Sequence, residues 1–267
     1  MYDIIKDSVQ IMGVLNVTPD SFYTNSRMEN MHFSSNFFKF SNIIDVGCES
    51  TRPYSVKIDS KMEVERLKKF INTVELKNAF LSIDTYKPEV AKIALQNGFS
   101  MINDIKSGGI DNAMLYLAAE FDCPIVLMHM KGNPSNMQDN PFYDDVLDDI
   151  VSFFEEKIKI AEKIGLNKNN IILDPGIGFG KCIADNDKII VNLKKIKQFN
   201  LPILIGLSRK SFLTINDDDP ECRLPSTLAA TVLAIENGAN ILRVHDVLET
   251  YKVIETLKRI KNNNSDN

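Results

Sequence analysis

The 267-residue chain has little from which a metal or disulfide framework could be built. Its four cysteines, Cys48, Cys123, Cys182 and Cys222, form no C-x-x-C pair, and its three histidines, His32, His129 and His245, stand far apart. Reduced thiols and no structural zinc are the expectation. Positive charge is not in excess either: 31 Lys and Arg face 36 Asp and Glu, a net charge of −5, so no global field attracts a nucleic-acid backbone. No apolar stretch approaches the roughly 18 residues of a membrane span. Residues 1–8 lack the basic and apolar regions of a secretory leader. These absences predict a cytoplasmic protein with no nucleic-acid or membrane partner. No linker rich in Pro, Gly or Ser divides the sequence, so residues 1–267 are expected to form a single domain, with a core at about 11–261 and a disordered polar tail at 262–267.

Eight short runs of Ile, Val, Leu and Met are present, at residues 11–17, 42–47, 80–85, 101–105, 124–129, 170–175, 202–207 and 241–246. Each is nearly continuous rather than alternating, which suits parallel strands covered on both faces. Helical periodicity fills the intervals at 61–74, 87–97, 111–121, 144–166, 188–199, 224–237 and 247–261, with the weakest pattern at 27–40. Strictly alternating strands and helices over about 250 residues predict an α/β fold, a (β/α)8 TIM barrel. An open dinucleotide-binding sheet is disfavoured. No G-x-G-x-x-G follows the first run, and Gly176, Gly178 and Gly180 have the wrong register for one.

In such barrels the chemistry gathers at the carboxyl ends of the strands. Here those ends are polar: Asn16, Asp45, Asp84, Asn103, Asp174, the Ser208–Ser211 run, Arg243 and His245. A desolvated, unpaired polar group costs about 1–3 kcal/mol, so their recurrence at one end of the barrel points to a ligand. Asp84, Asn103 and Asp174 suit the edge of a flat heterocycle. Arg52, Lys210, Arg243 and His245 suit a phosphate or diphosphate arm. Arg243 and His245 are two residues apart on a strand and so share a face. The alternative for Asp84 and Asp174 is pairing with an internal Arg or Lys, and for Phe179 it is plain core filling.

Several ordered motifs, GVLNVTPDSF (13–22), ESTRP (49–53), SIDT (82–85), IND (102–104), DPG (174–176), SRKS (208–211) and RVHD (243–246), closely resemble those of the dihydropteroate synthases of the pterin-binding family. The resemblance covers nearly the whole chain. It implies a transferase of folate biosynthesis, a sulfonamide target, that condenses 6-hydroxymethyl-7,8-dihydropterin diphosphate with p-aminobenzoate and depends on Mg2+. By the same resemblance Asp84, Asn103, Asp174 and Lys210 hold the pterin. Asn16, Thr51, Arg52, Arg243 and His245 surround the diphosphate, Asn16 also touching the metal. Phe179, Pro53, Lys210 and Ser211 border the aminobenzoate, and Arg52, Lys210, Arg243 and His245 carry the catalysis.

The sequence also departs from the family pattern. Residues 23–26 read Tyr-Thr-Asn-Ser where Ser-Asp-Gly-Gly is usual, Cys48 replaces a glycine before Glu49, and Tyr54 replaces one after Pro53. The interval before the second strand is short, which predicts a short or irregular first helix. These changes leave open a catalytically impaired paralogue. A methyltetrahydrofolate-dependent methyltransferase would share the Asp and Asn groups but has no need of the SRKS and RVHD cations. The helix at 224–238 is apolar nearly all round, so a second buried face is expected, most simply a homodimer through the late helices.

Overall fold

The computed structural model describes residues 8–17, 35–49, 57–73, 79–109, 111–132, 137, 139–216 and 219–263. Strand β1 (Gln10–Asn16) and helix α1 (Ser35–Phe40) begin an alternation that continues through β2 (Ile43–Gly47), α2 (Ser60–Thr73), β3 (Leu81–Asp84), α3 (Pro88–Gln96), β4 (Met101–Asp104) and α4 (Ala113–Glu120). It ends with β5 (Ile125–Met128), α5 (Val146–Ile164), β6 (Ile171–Asp174), α6 (Ile183–Val191), β7 (Leu204–Ile205), α7 (Leu224–Glu236), β8 (Ile241–Val244) and α8 (Val247–Asn262). The strands are parallel and lie in the order β6-β5-β4-β3-β2-β1-β8-β7. A single parallel bridge, Leu173 to Ile203, brings β7 back against β6 and completes the expected (β/α)8 barrel.

The period of two along each strand sorts side chains between two apolar clusters. Ile11, Ile44, Ile83, Ile102, Leu127 and Leu173 face the helices. Met12, Ile43, Met101, Val126, Ile172, Leu204 and Ile241 close the barrel floor. Two residues further along, the same inward face carries Asp45, Asn103, Asp174 and Arg243. The apolar floor thus becomes a polar mouth within one step of the pleat.

Local chemistry accounts for the helix ends. Asp145 caps α5 by accepting the N–H groups of Leu147 at 2.8 Å and Asp148 at 3.3 Å, and Gly165 ends the helix in the left-handed region at φ 91°. Pro88 opens α3 at a position where no N–H is needed. The interval expected to be one helix at 188–199 is instead α6 followed by a 3-10 turn, Leu193–Phe199. A reciprocal cap between Cys182 and Asp185 starts the helix earlier. Its first turn offers only Ile183 and Ala184 before the polar Asp185-Asn186-Asp187, so no apolar stripe announces it. Strand β7 is two residues where six were expected. Residues 35–40 of the interval 27–40 form a described helix, and 27–34 lie outside the described residues. At the other end α8 runs to Asn262, the first residue of the expected tail, while 264–267 lie outside the described residues.

All four cysteines are free thiols. Among the described residues no helix is long and apolar enough to cross a membrane.

Candidate active site

The mouth is organised around Arg243. Its Nε donates to Asp45 Oδ2 at 2.7 Å and its Nη2 to Asp84 Oδ2 at 2.6 Å. Asn103 Nδ2 donates to the same Asp45 oxygen at 2.8 Å. Strands β2, β3, β4 and β8 therefore meet in one hydrogen-bonded unit. The alternative of an internal cation partner is realised for Asp84, and the partner is itself a predicted site residue. Burial works against the Arg243 charge, but Asp45 and Asp84 more than offset it, so the guanidinium is held charged beyond its ordinary range. Burial pushes Asp84 up to about 7 against the pull of Arg243, with Asp45 as a further upward influence. Asp45 Oδ1 and Asp84 Oδ1 are buried without a hydrogen-bond donor. Carboxylate oxygens so placed can accept the N–H groups of a ligand.

A second unit lies across the opening on β6 and β7. Asp174 Oδ1 accepts the Gly176 N–H at 2.7 Å. Lys210 Nζ donates to the Ile177 carbonyl and stands 4.7 Å from the centre of the Phe179 ring. Burial depresses Lys210 to about 8, with Asp174 opposing the shift and Arg243 reinforcing it. Asp174 is raised, again chiefly by burial, with Lys210 and the Gly176 N–H resisting. Gly176 (φ 68°) permits this turn: a Cβ there would run into the His129 carbonyl oxygen.

At the rim, His245 is exposed, with its Nδ1 3.0 Å from Ser208 Oγ. The same hydroxyl accepts the His245 N–H at 3.2 Å. Arg209 and Asp246, the next residues along, form a two-point ion pair at 2.8 and 2.6 Å, so the loops after β7 and β8 are fastened together. Ser211 is exposed and opens a short 3-10 turn directly after Lys210. Asn16 is exposed at the end of β1, and its Oδ1 lies beside Gly47 on the side of Asp84.

Of the predicted site residues, Asp84, Asn103, Asp174, Lys210, Arg243, His245, Asn16, Phe179 and Ser211 thus lie at the carboxyl ends of the strands or in the loops that follow, on one side of the barrel. Thr51, Arg52, Pro53, Tyr54 and 23–26 lie outside the described residues. Two residues were missed. Asp45 stands among the polar strand ends without an assigned role, although a carboxylate in the middle of the apolar Ile43–Gly47 strand is a readable signal. Lys181 gave none, since a lysine after a glycine-rich turn reads as a solvated loop residue, yet it is 2% exposed.

Among the described residues no three His, Cys, Asp or Glu side chains form a metal cage. Asn16 offers one neutral amide oxygen. That set does not fit an all-protein metal site, but it fits a Mg2+ held mainly by water and phosphate oxygens.

A family model described as pterin binding enzyme matches residues 12–245. The dihydropteroate synthase of Escherichia coli (strain K12) is 39% identical over 255 residues, 93% of this chain and 90% of the relative. The structure of Yersinia pestis dihydropteroate synthase in a sulfonamide drug complex superposes with a TM-score of 0.88 at 37% identity, covering 96% of this chain and 95% of that one. The Xanthomonas albilineans dihydropteroate synthase with 4-aminobenzoic acid gives 0.86 at 35%, covering 96% and 94%. A barrel mouth built from these groups, in a chain matched along nearly its whole length, belongs to the dihydropteroate synthase family of pterin-binding enzymes.

Proposed function

We propose that this protein is a dihydropteroate synthase, joining 6-hydroxymethyl-7,8-dihydropterin diphosphate to p-aminobenzoate to give 7,8-dihydropteroate and diphosphate. The observation that carries this reading is the Asp45–Arg243–Asp84 unit facing Asp174 and Lys210 across one opening, with orphaned carboxylate oxygens on the inner side and cations towards the rim.

The pterin edge supplies N–H donors to Asp84 and Asp174, and Asn103 steadies the carboxylates from β4. As the bond from the exocyclic CH2 to the diphosphate oxygen breaks, its electron pair leaves with the oxygen and positive charge develops on the pterin. Asp84 and Asp174 stabilise that charge, while Arg243, His245 and Arg52 stabilise the departing anion. Asn16 and Thr51 border the same anion. The amine nitrogen of p-aminobenzoate, seated against Phe179, Pro53, Ser211 and the Lys210 stem, gives its lone pair to the CH2 carbon, and the proton it loses as the C–N bond forms passes to the departing diphosphate or to water. No protein nucleophile is needed. When bound, Mg2+ supplies Lewis-acid charge to the diphosphate, with Asn16 as its protein contact.

Helix α7 supports a homodimer as the working assembly. It turns Thr227, Ala230, Thr231 and Ala234 to the barrel and leaves Leu233 50% exposed beside the exposed Ala229. Sedimentation should show a dimer at micromolar concentration, and a monomer alone would exclude this assembly. The free thiols and acidic balance support a reducing, cytoplasmic setting.

The test is incubation of the purified protein with the dihydropterin diphosphate, Mg2+ and p-aminobenzoate. Diphosphate release that depends on the amine, with dihydropteroate formed in equal amount, is expected. Pterin binding without release would favour an impaired paralogue.

A further inference from the structure

Lys181 follows the glycine turn after β6 and is buried, 2% exposed. Its Nζ donates to the Phe179 carbonyl at 3.0 Å and to the His129 carbonyl at 3.2 Å. No carboxylate among the described residues lies in ion-pair contact with it. An ammonium in such a place is expensive to bury, and a fold that needed only a spacer there would use a methionine or leucine. What the lysine holds is therefore informative.

Its two acceptors belong to the end of β5 and to the turn after β6. That turn carries both Ile177, the carbonyl partner of Lys210, and Phe179, whose ring faces the Lys210 ammonium. Phe179 N–H donates to Gly176 O at 3.0 Å, closing the turn from within. Tyr143 Oη donates to the Gly180 carbonyl at 2.8 Å, and Gly180 is pressed against the Lys131 carbonyl, where a Cβ would not fit. The successive carbonyls of Phe179 and Gly180 are thus held separately, the first by Lys181 and the second by Tyr143. Burial holds the Lys181 ammonium down to about 7, as expected of a charge kept at a cost.

We infer that Lys181 is a positioning residue for the second substrate: by tying the Phe179 carbonyl to the end of β5 it sets the aromatic wall against which p-aminobenzoate is seated. This rests on the synthase reading. Asp174, which meets the pterin, has its own hydrogen bond to the Gly176 N–H and feels Lys181 only as a nearby charge, which Lys181→Arg keeps, so the effect should fall on one substrate more than the other.

The experiment compares Lys181→Met and Lys181→Arg with wild type, measuring KM for each substrate and kcat. Lys181→Met should raise KM for p-aminobenzoate at least fivefold while KM for the pterin diphosphate stays within twofold, and Lys181→Arg should recover most of the loss. Equal rises in both constants, or no rise, would overturn the inference. If Lys181→Met does not fold, Lys181→Gln, whose shorter side chain does not span both carbonyls, serves the same comparison. A wild type without amine-dependent release would sink the synthase reading instead. Titration of p-aminobenzoate into protein loaded with dihydropterin and inorganic diphosphate then reads the positioning without turnover: a selective loss in the variant supports it and an unchanged affinity refutes it.

Discussion

Arg243 and Asp45, 198 residues apart in the chain, share a 2.7 Å ion pair across the barrel mouth. Asp45 is fully buried, so its charge is tolerable only because the guanidinium and Asn103 answer it. The pair is part of the binding surface and part of the core at once. Breaking a buried pair by removing one partner costs about 3–5 kcal/mol. Asp45→Leu should therefore lower unfolding free energy by roughly that amount in a denaturant titration. Asp45→Asn keeps the shape and one hydrogen bond to Arg243, so it should fold with a smaller loss but bind dihydropterin about tenfold or more weakly. Wild-type stability for Asp45→Leu would show that the pair is not buried as described.

Lys210 makes a prediction in pH. Its proton leaves the folded protein near 8, whereas the unfolded chain keeps it up to the ordinary lysine range. Between those limits the unfolded state binds more protons, so the contribution of Lys210 to stability rises with pH. Affinity for the pterin diphosphate should do the opposite, falling above about pH 8 by at most tenfold per pH unit as the charge is lost. Lys210→Arg should hold its affinity through this range. An equal decline in both proteins would assign the titration to another group.

Arg209 takes a left-handed backbone conformation at φ 56°, a strain of about 1–3 kcal/mol for a residue with a side chain. Three contacts hold it there: its N–H to Thr227 Oγ1 at 3.0 Å, its carbonyl to Arg223 Nη1 at 3.2 Å, and the fork to Asp246. Lys210 and His245 are the chain neighbours of that fork. Asp246→Asn should lower kcat/KM about tenfold, with a stability loss of only about 1 kcal/mol because the pair is partly solvated. Unchanged kinetics would mean that the β7 and β8 loops are fixed by Ser208 and His245 alone.

The alternation of strand and helix was legible because every strand is covered on both faces and so reads as an unbroken apolar run. The polar mouth was legible for the same reason: Asp84, Asn103, Asp174 and Arg243 interrupt those runs where a sheet has no use for charge. Two things could not be read. Apolar periodicity does not mark a helix that begins on a cap, and α6 begins on Cys182 and Asp185. Nor does one residue's chemistry reveal its partners: Arg243 reads as a cation for an anionic arm, but its grip on Asp45 and Asp84 depends on closure of the barrel. Lys181 is the extreme case, since its burial follows from the path of a glycine turn and from nothing in its own neighbourhood in the chain.

The division of the mouth into a half for the ring and a half for its anionic arm is tested most directly by binding. Arg243→Ala would leave buried Asp45 and Asp84 without their shared cation, so Arg243→Lys is the better variant. 6-Hydroxymethyl-7,8-dihydropterin and its diphosphate should each be titrated calorimetrically into wild type, Asp174→Asn and Arg243→Lys. Asp174→Asn should weaken both ligands by the same factor, at least tenfold. Arg243→Lys should weaken the diphosphate about tenfold while the free pterin stays within threefold. If both variants lose both ligands equally, the mouth is not divided in this way and the account is wrong.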